Sequence, residues 1–359
     1  MTDLIKEQNK ESMKGRDKHL DAVKGFAILI VMLGHCIGRN HMNDPYINDA
    51  IMSIQMPLFM MVSGYGTGMG KREIANGKMF LAVLKKRMTA YLLPFFSWVF
   101  VVSLFRPFDD IQNPFVECYN VLFRIDSGLW FLMTLFIIQS FTMLAALLSN
   151  ICTTHLKKSS RGICHMTLFL GGIAVVYFLF VLWGRSGSTF LGPSFVVQYM
   201  PFFVLGYIVS YYIKNVFLKK GRKFLWGVWV LSLMLFLGLV FVFDLQSKTN
   251  TKELLIQMLA SLLGSFVCFY GVYHLPVKRK YGLSFIGLYT LEIYTLHFRF
   301  VDMLGFQNLG LEVYSLKGMG AIVITFLVMS ILSAIIIYFV KKVWILDLIL
   351  FGKGKRQLS

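Results

Sequence analysis

Ten stretches of 17 to 22 predominantly apolar residues run almost end to end through this chain. They lie near 22–38, 50–69, 88–105, 128–149, 163–183, 195–213, 224–243, 254–275, 285–304 and 319–340. A helix needs about 20 apolar residues to cross the hydrocarbon core of a bilayer. The expected fold class is an all-α polytopic membrane protein of about ten transmembrane helices. Composition agrees: charged residues make up 15% of the chain, against roughly 25% in soluble domains.

The first twenty residues are polar and carry no small-residue cleavage site, so the first apolar stretch is expected to be a retained helix. With no internal repeat or low-complexity linker, one domain is expected over 22–343. It is flanked by a cytoplasmic N-terminal segment, 1–21, and a basic cytoplasmic tail, 344–359.

The net charge of +18 could suggest a nucleic-acid partner, but the placement of the cations argues against one. With the N-terminus in the cytoplasm, the outer connections hold only Arg39, Arg106, Arg124, Arg185, Lys248, Lys252 and Lys317. Lys24 and Arg299 fall inside apolar stretches, and the remaining 27 of the 36 Lys and Arg lie on the inner side. That asymmetry predicts both termini inside, and most inner cations need do no more than set topology and meet lipid headgroups. Five scattered cysteines, Cys36, Cys118, Cys152, Cys164 and Cys268, show neither disulfide nor metal-ligand spacing. No metal site is expected.

Charged groups inside spans are costly and tend to face an interior or a water-filled cavity. Here they concentrate on two stretches: Asp21, Lys24 and His35 on the first, Glu292, His297 and Arg299 on the ninth. Lys24 and His35 are eleven residues apart, three helical turns and about 16 Å along one face. Asp21, one turn before Lys24, can pair with it. Taken singly, Lys24 reads as a cation snorkelling to the interface and His35 as a satisfied interior histidine. On one stripe they read as an ion pair at the inner mouth with a titratable imidazole toward the outer side. Counted from the inner surface, His297 reaches a depth similar to that of His35. Glu292 lies one and a half turns closer to the cytoplasm, and Arg299 is expected to snorkel outward. If the first and ninth helices pack together, two imidazoles and a carboxylate share one cavity.

Several segments resemble the acyltransferase-3 family of integral membrane O-acyltransferases, in particular its fucose 4-O-acetylase-like subgroup. A basic residue, ten residues and a histidine occur as Lys24…His35 in "LDAVKGFAILIVMLGH". Further landmarks follow in order: "QMPLFMMVSGYG" (55–66), "KKRMTAYLLP" (85–94), "LWFL" (129–132) and "LEIYTLH" (291–297). Two positions depart from the pattern. Gln55 stands where the subgroup usually has histidine, and Tyr91 where arginine is common.

The resemblance implies transfer of an acetyl group from cytoplasmic acetyl-CoA, a substrate rather than a resident cofactor, to a hydroxyl of a cell-surface or lipid-linked glycan. The setting it implies is the bacterial cytoplasmic membrane. His35 is then the general base, with direct transfer and a transient acyl-imidazole both open. Glu292 and His297 orient the imidazole or hold the acceptor. Asp21, Lys24, Lys71, Arg72, Lys86 and Arg87 are expected at the donor's phosphates, with "GYGTGMG" (64–70) supplying either backbone N–H groups or close helix packing and a turn. Trp130, Phe131, Tyr289 and Tyr294 either stack on sugar rings or pack. Two alternatives stay open: another acyl group such as succinyl, and a non-enzymatic polysaccharide transporter or flippase. The latter class uses paired, interrupted half-helices in repeated segments, and no such repeat is visible.

Overall fold

The computed structural model describes residues 16–42, 44–69, 74, 76–104, 113–125, 129–213, 222–246, 250–276, 278 and 281–353. These residues contain helices and connections and no strand. The helices are α1 (Lys18–Arg39), α2 (Pro45–Met69), α3 (Gly77–Arg87), α4 (Leu93–Leu104), α5 (Pro114–Asn120), α6 (Trp130–Thr153) and α7 (Lys158–Arg185). After them come α8 (Pro193–Ile208), α9 (Arg222–Val242), α10 (Thr251–Tyr273), α11 (Leu283–Ile286), α12 (Thr290–Leu296), α13 (Leu316–Val340) and α14 (Trp344–Phe351). A π turn, Met88–Leu92, joins α3 to α4, and a single 3₁₀ turn, His297–Arg299, continues α12.

Seven segments among the described residues are helices long and apolar enough to cross a membrane, fewer than the ten expected. They correspond to the first, fourth to eighth and tenth apolar stretches. The other three differ for separate reasons. α2 has the length, 25 residues, but Asp49, Gln55 and its serines and glycines dilute its apolarity. The third stretch begins in the π turn, so α4 alone is only 12 residues long. The ninth stretch is not one helix at all, but α11, α12 and the 3₁₀ turn in succession.

The break lies where the chain packs closely on α1. α11 lies directly on the first turns of α1. A Cβ on Gly25 would collide with the Leu283 carbonyl, and one on Gly287 would collide with the Asp21 carbonyl. Only glycine allows two backbones this close. α11 ends at Gly287 and the chain restarts at Thr290, and this sets the direction of α12 against α1.

α1 is buried on most of its circumference, as a central helix is. α2, α10, α11, α12 and α13 surround it, and α2 also packs along α8. α7, α9 and α13 turn long apolar side chains outward, among them Phe178, Leu231, Phe241, Val323 and Leu327. A bilayer solvates such a face, whereas water would not. The N-terminus of α1 is capped by Asp17, whose carboxylate accepts from the His19 and Leu20 amides and from the Tyr273 hydroxyl at 2.7 Å. This ties α1 to α10 at the Lys24 end.

Candidate active site

α1 carries polar groups at two levels. At its Arg39 end, His35 meets His297 from the turn that follows α12, with ring centres 5.2 Å apart. Residues 262 positions apart in sequence thus form an imidazole pair. His297 is 1% exposed, and its Nδ1 lies 2.9 Å from the Ile293 carbonyl. A carbonyl oxygen only accepts, so Nδ1 carries the hydrogen, and the neutral ring keeps its lone pair on Nε2. Nε2 is buried without a hydrogen-bond partner among the described residues. His35 is half-buried, and none of the described residues hydrogen-bonds to its ring.

The walls of this pair are aromatic. Phe298 meets His35 edge-on at 5.0 Å and lies under the Arg39 guanidinium at 5.4 Å. Arg39 is ion-paired to Asp302, its Nε 3.0 Å from the carboxylate. On the other side Tyr294 packs on His297 at 5.9 Å and on Phe131 at 5.3 Å. Trp130 is stacked between Phe195 and Tyr199, at 4.6 and 5.3 Å. Of the aromatics expected as sugar platforms, Phe131 and Tyr294 buttress His297, and Trp130 is held by two protein rings. Tyr289 lies at the opposite level, under the Lys341 ammonium at 5.5 Å. Gln55 reaches the same level as His35, because its amide oxygen lies against Gly34. That oxygen is buried and has no hydrogen-bond partner among the described residues.

At the opposite end of α1, Asp21 is 3.7 Å from Lys24, as the spacing predicts, but its tighter partner is Arg16, at 2.7 and 3.0 Å from the two carboxylate oxygens. Glu292 belongs to this level and not to the imidazoles. It is 0% exposed, and its Oε1 accepts from Lys341 at 2.9 Å and Lys353 at 2.7 Å. Lys341 also binds Asp347 at 3.3 Å, and Lys353 donates to the Leu288 carbonyl at 3.2 Å. Burial opposes the charge on both lysines. At Lys341, Glu292 and Asp347 outweigh it and hold the ammonium above its ordinary range. At Lys353 burial wins and the ammonium is pulled below that range.

Of the cations expected at a donor, Lys71 and Arg72 lie outside the described residues. Lys86 is exposed on the last turn of α3. Arg87 turns toward Tyr91, with Nη1 3.4 Å from the hydroxyl, so the tyrosine standing where arginine is common is a partner of the preceding arginine. Sequence reasoning missed Lys341 and Lys353, because inner-side lysines beyond the last apolar stretch look like every other topology-setting cation. It also missed Phe298 and the Arg39–Asp302 pair, which carry no signal until α12 is set against α1.

The comparisons with known proteins cover both histidines, Lys24 and Glu292. The acyltransferase domain family matches residues 17–340. The chain is 25% identical over 333 residues to Nodulation protein NolL of Sinorhizobium fredii (strain NBRC 101917 / NGR234), covering 82% of this chain and 81% of that protein. No solved structure matches. With the family's domain spanning the elements that hold both histidines, Lys24 and Glu292, the chain belongs to the acyltransferase domain family and is a membrane acyltransferase.

Proposed function

We propose that this protein is an O-acetyltransferase of the fucose 4-O-acetylase-like kind, moving the acetyl group of cytoplasmic acetyl-CoA to a hydroxyl of a cell-surface or lipid-linked glycan. The observation that carries the reading is the His35–His297 pair at one level of α1 with a cation cluster at the other. A donor with phosphates at one end and a thioester on a long flexible arm matches that separation, about 16 Å at helical rise.

In this reading a glycan hydroxyl attacks the thioester carbonyl. His35 accepts the hydroxyl proton as the C–O bond forms. The tetrahedral intermediate collapses with cleavage of the C–S bond, and the imidazolium returns its proton to the departing thiolate, giving the acetyl ester and free coenzyme A. His297 packs against the His35 ring and, neutral with its lone pair on Nε2, tolerates and stabilises the transient imidazolium. The Phe298 and Tyr294 rings keep bulk water from the thioester. Gln55, in the place of a second proton-handling histidine, offers an amide for the acceptor or the developing oxyanion rather than a base.

The chain resides in the bacterial cytoplasmic membrane with both termini inside, as the Lys and Arg asymmetry supports. It crosses ten times if α2, the α3–α4 helix pair and the broken α11–α12 segment make the remaining three passes. No group of three or more His, Cys, Asp and Glu side chains among the described residues is placed to hold a metal ion.

The test is thiol release by the purified protein from acetyl-CoA with a glycan acceptor, alongside the mass of the surface polysaccharide. His35→Ala is expected to abolish transfer while membrane insertion and donor binding persist. Near-normal glycan acetylation by His35→Ala would end the catalytic assignment. Lys24→Ala is expected mainly to raise the KM for acetyl-CoA.

A further inference from the structure

The C-terminal segment does not trail away from the last long helix. α14 packs on α4, and the Trp98 indole donates to the Leu350 carbonyl at 2.9 Å. Gly352 then turns with φ of +64°, pressed against the backbone of Thr89 and Ala90 in the π turn, where a side chain would collide. The turn delivers Lys353 to Glu292 and Leu288.

Four cationic side chains from two distant parts of the chain converge here: Arg16 and Lys24, and Lys341 and Lys353. Lys24 lies within electrostatic reach of Arg16 and Lys353, and Lys353 within reach of Lys341 and Arg16. The carboxylates that answer them are Asp21, Glu292 and Asp347. Asp17 is committed to the α1 cap and Tyr273.

An ammonium has three N–H donors. Among the described residues Lys353 spends two, on Glu292 and Leu288, and Lys341 spends two, on Glu292 and Asp347. Both side chains keep accessible surface, 39% for Lys353 and 28% for Lys341, although burial is strong enough to depress the Lys353 ammonium. Each therefore keeps accessible surface and a donor to spare. Like charges held together in a low-dielectric setting repel strongly, and a phosphate relieves that repulsion while using charge-assisted hydrogen bonds.

We propose that Lys341 and Lys353, with Lys24 and Arg16, form a phosphate-recognising subsite that the C-terminal turn completes. Its ligand is the phosphate portion of the acyl donor, an assignment that rests on the acetyl-CoA reading above. Glu292 is the buried counter-ion that positions the two lysines and is not a proton carrier in the reaction.

The full-length protein in detergent tests this with two donors: acetyl-CoA, and S-acetylpantetheine, which has the same thioester without phosphates. Lys353→Gln is expected to raise the KM for acetyl-CoA at least tenfold, to leave kcat within about twofold, and to leave the kinetics with S-acetylpantetheine unchanged. Lys353→Arg is expected to restore most of the loss. Equal effects on both donors, or on neither, would overturn the subsite while leaving acetyl transfer standing. Should Lys353→Gln fail to fold, Lys341→Gln carries the same comparison, since Glu292 then keeps Lys353. If the wild type uses neither donor, the functional reading falls, and the subsite is judged by inorganic pyrophosphate alone. Thermal protection of wild type but not of Lys353→Gln supports the subsite, and no protection removes it. Protection by phosphatidylglycerol nanodiscs and not by pyrophosphate or acetyl-CoA would make it a lipid-headgroup site, overturning the donor assignment.

Discussion

His297 is bonded through Nδ1 to the Ile293 carbonyl, which fixes one tautomer and leaves Nε2 without a partner beside His35. A buried nitrogen in that condition is costly unless it has work to do. Replacing His297 with Ala is expected to lower kcat by about 10²–10³-fold, the range typical of a lost group that stabilises developing charge, with the KM for acetyl-CoA little changed. Thiol-release kinetics on the purified variant decide it, and a loss below twofold would make His297 a packing residue. The histidines and Lys24 were legible because ionisable residues in apolar stretches stand out against their background. The contact between the two histidines was not, since two residues on separate helices meet only if those helices are neighbours. Glu292 illustrates the limit: its place in the ninth stretch was plain, but its partners are lysines from beyond the last span.

At the scale of elements, the contact between α1 and α11 is tightly constrained, as is that between α2 and α8, where Gly64 and Gly206 press on backbone. Gly287 and Gly25 sit where a Cβ would strike backbone, which cannot move aside as a side chain can. Gly287→Ala is expected to destabilise by about 1–3 kcal/mol through overpacking. Gly320→Ala on the outward face of α13, with nothing within 4 Å, is expected to be neutral or to stabilise by about 0.5–1 kcal/mol through helix propensity. Thermal unfolding in one detergent compares them, and equal midpoints would contradict the close approach. The ninth apolar stretch looked like a helix because its hydrophobicity is continuous. Hydrophobic length reports the solvent a segment tolerates, not its internal hydrogen bonding, so the break at Gly287–Tyr289 left no mark in it.

Across the whole molecule, the two levels of α1 require opposite ends of the protein to face different compartments. Alkaline phosphatase is active only outside the cytoplasm. A fusion after His41, past the Arg39 end of α1, is expected to be active, and one after Ser359 inactive. Activity at Ser359 would invert the topology and put the cation cluster on the wrong side for a cytoplasmic donor. The C-terminal segment belongs to this scale as well. It read as a basic tail, whereas α14 is an apolar helix docked on α4, and Lys353 is part of the site level that holds Glu292.

By itself the sequence determined the solvent of this protein, its helical class, and the two charged stripes on its first and ninth apolar stretches. Those follow from transfer energies summed along the chain, which need no knowledge of neighbours. Tertiary structure alone decided that the stripes meet as an imidazole pair, that Glu292 serves two lysines, and that the last described residues close the opposite end. Such contacts depend on which helices touch and how closely their backbones approach, and a glycine in α1 signals that approach only once its partner is in place.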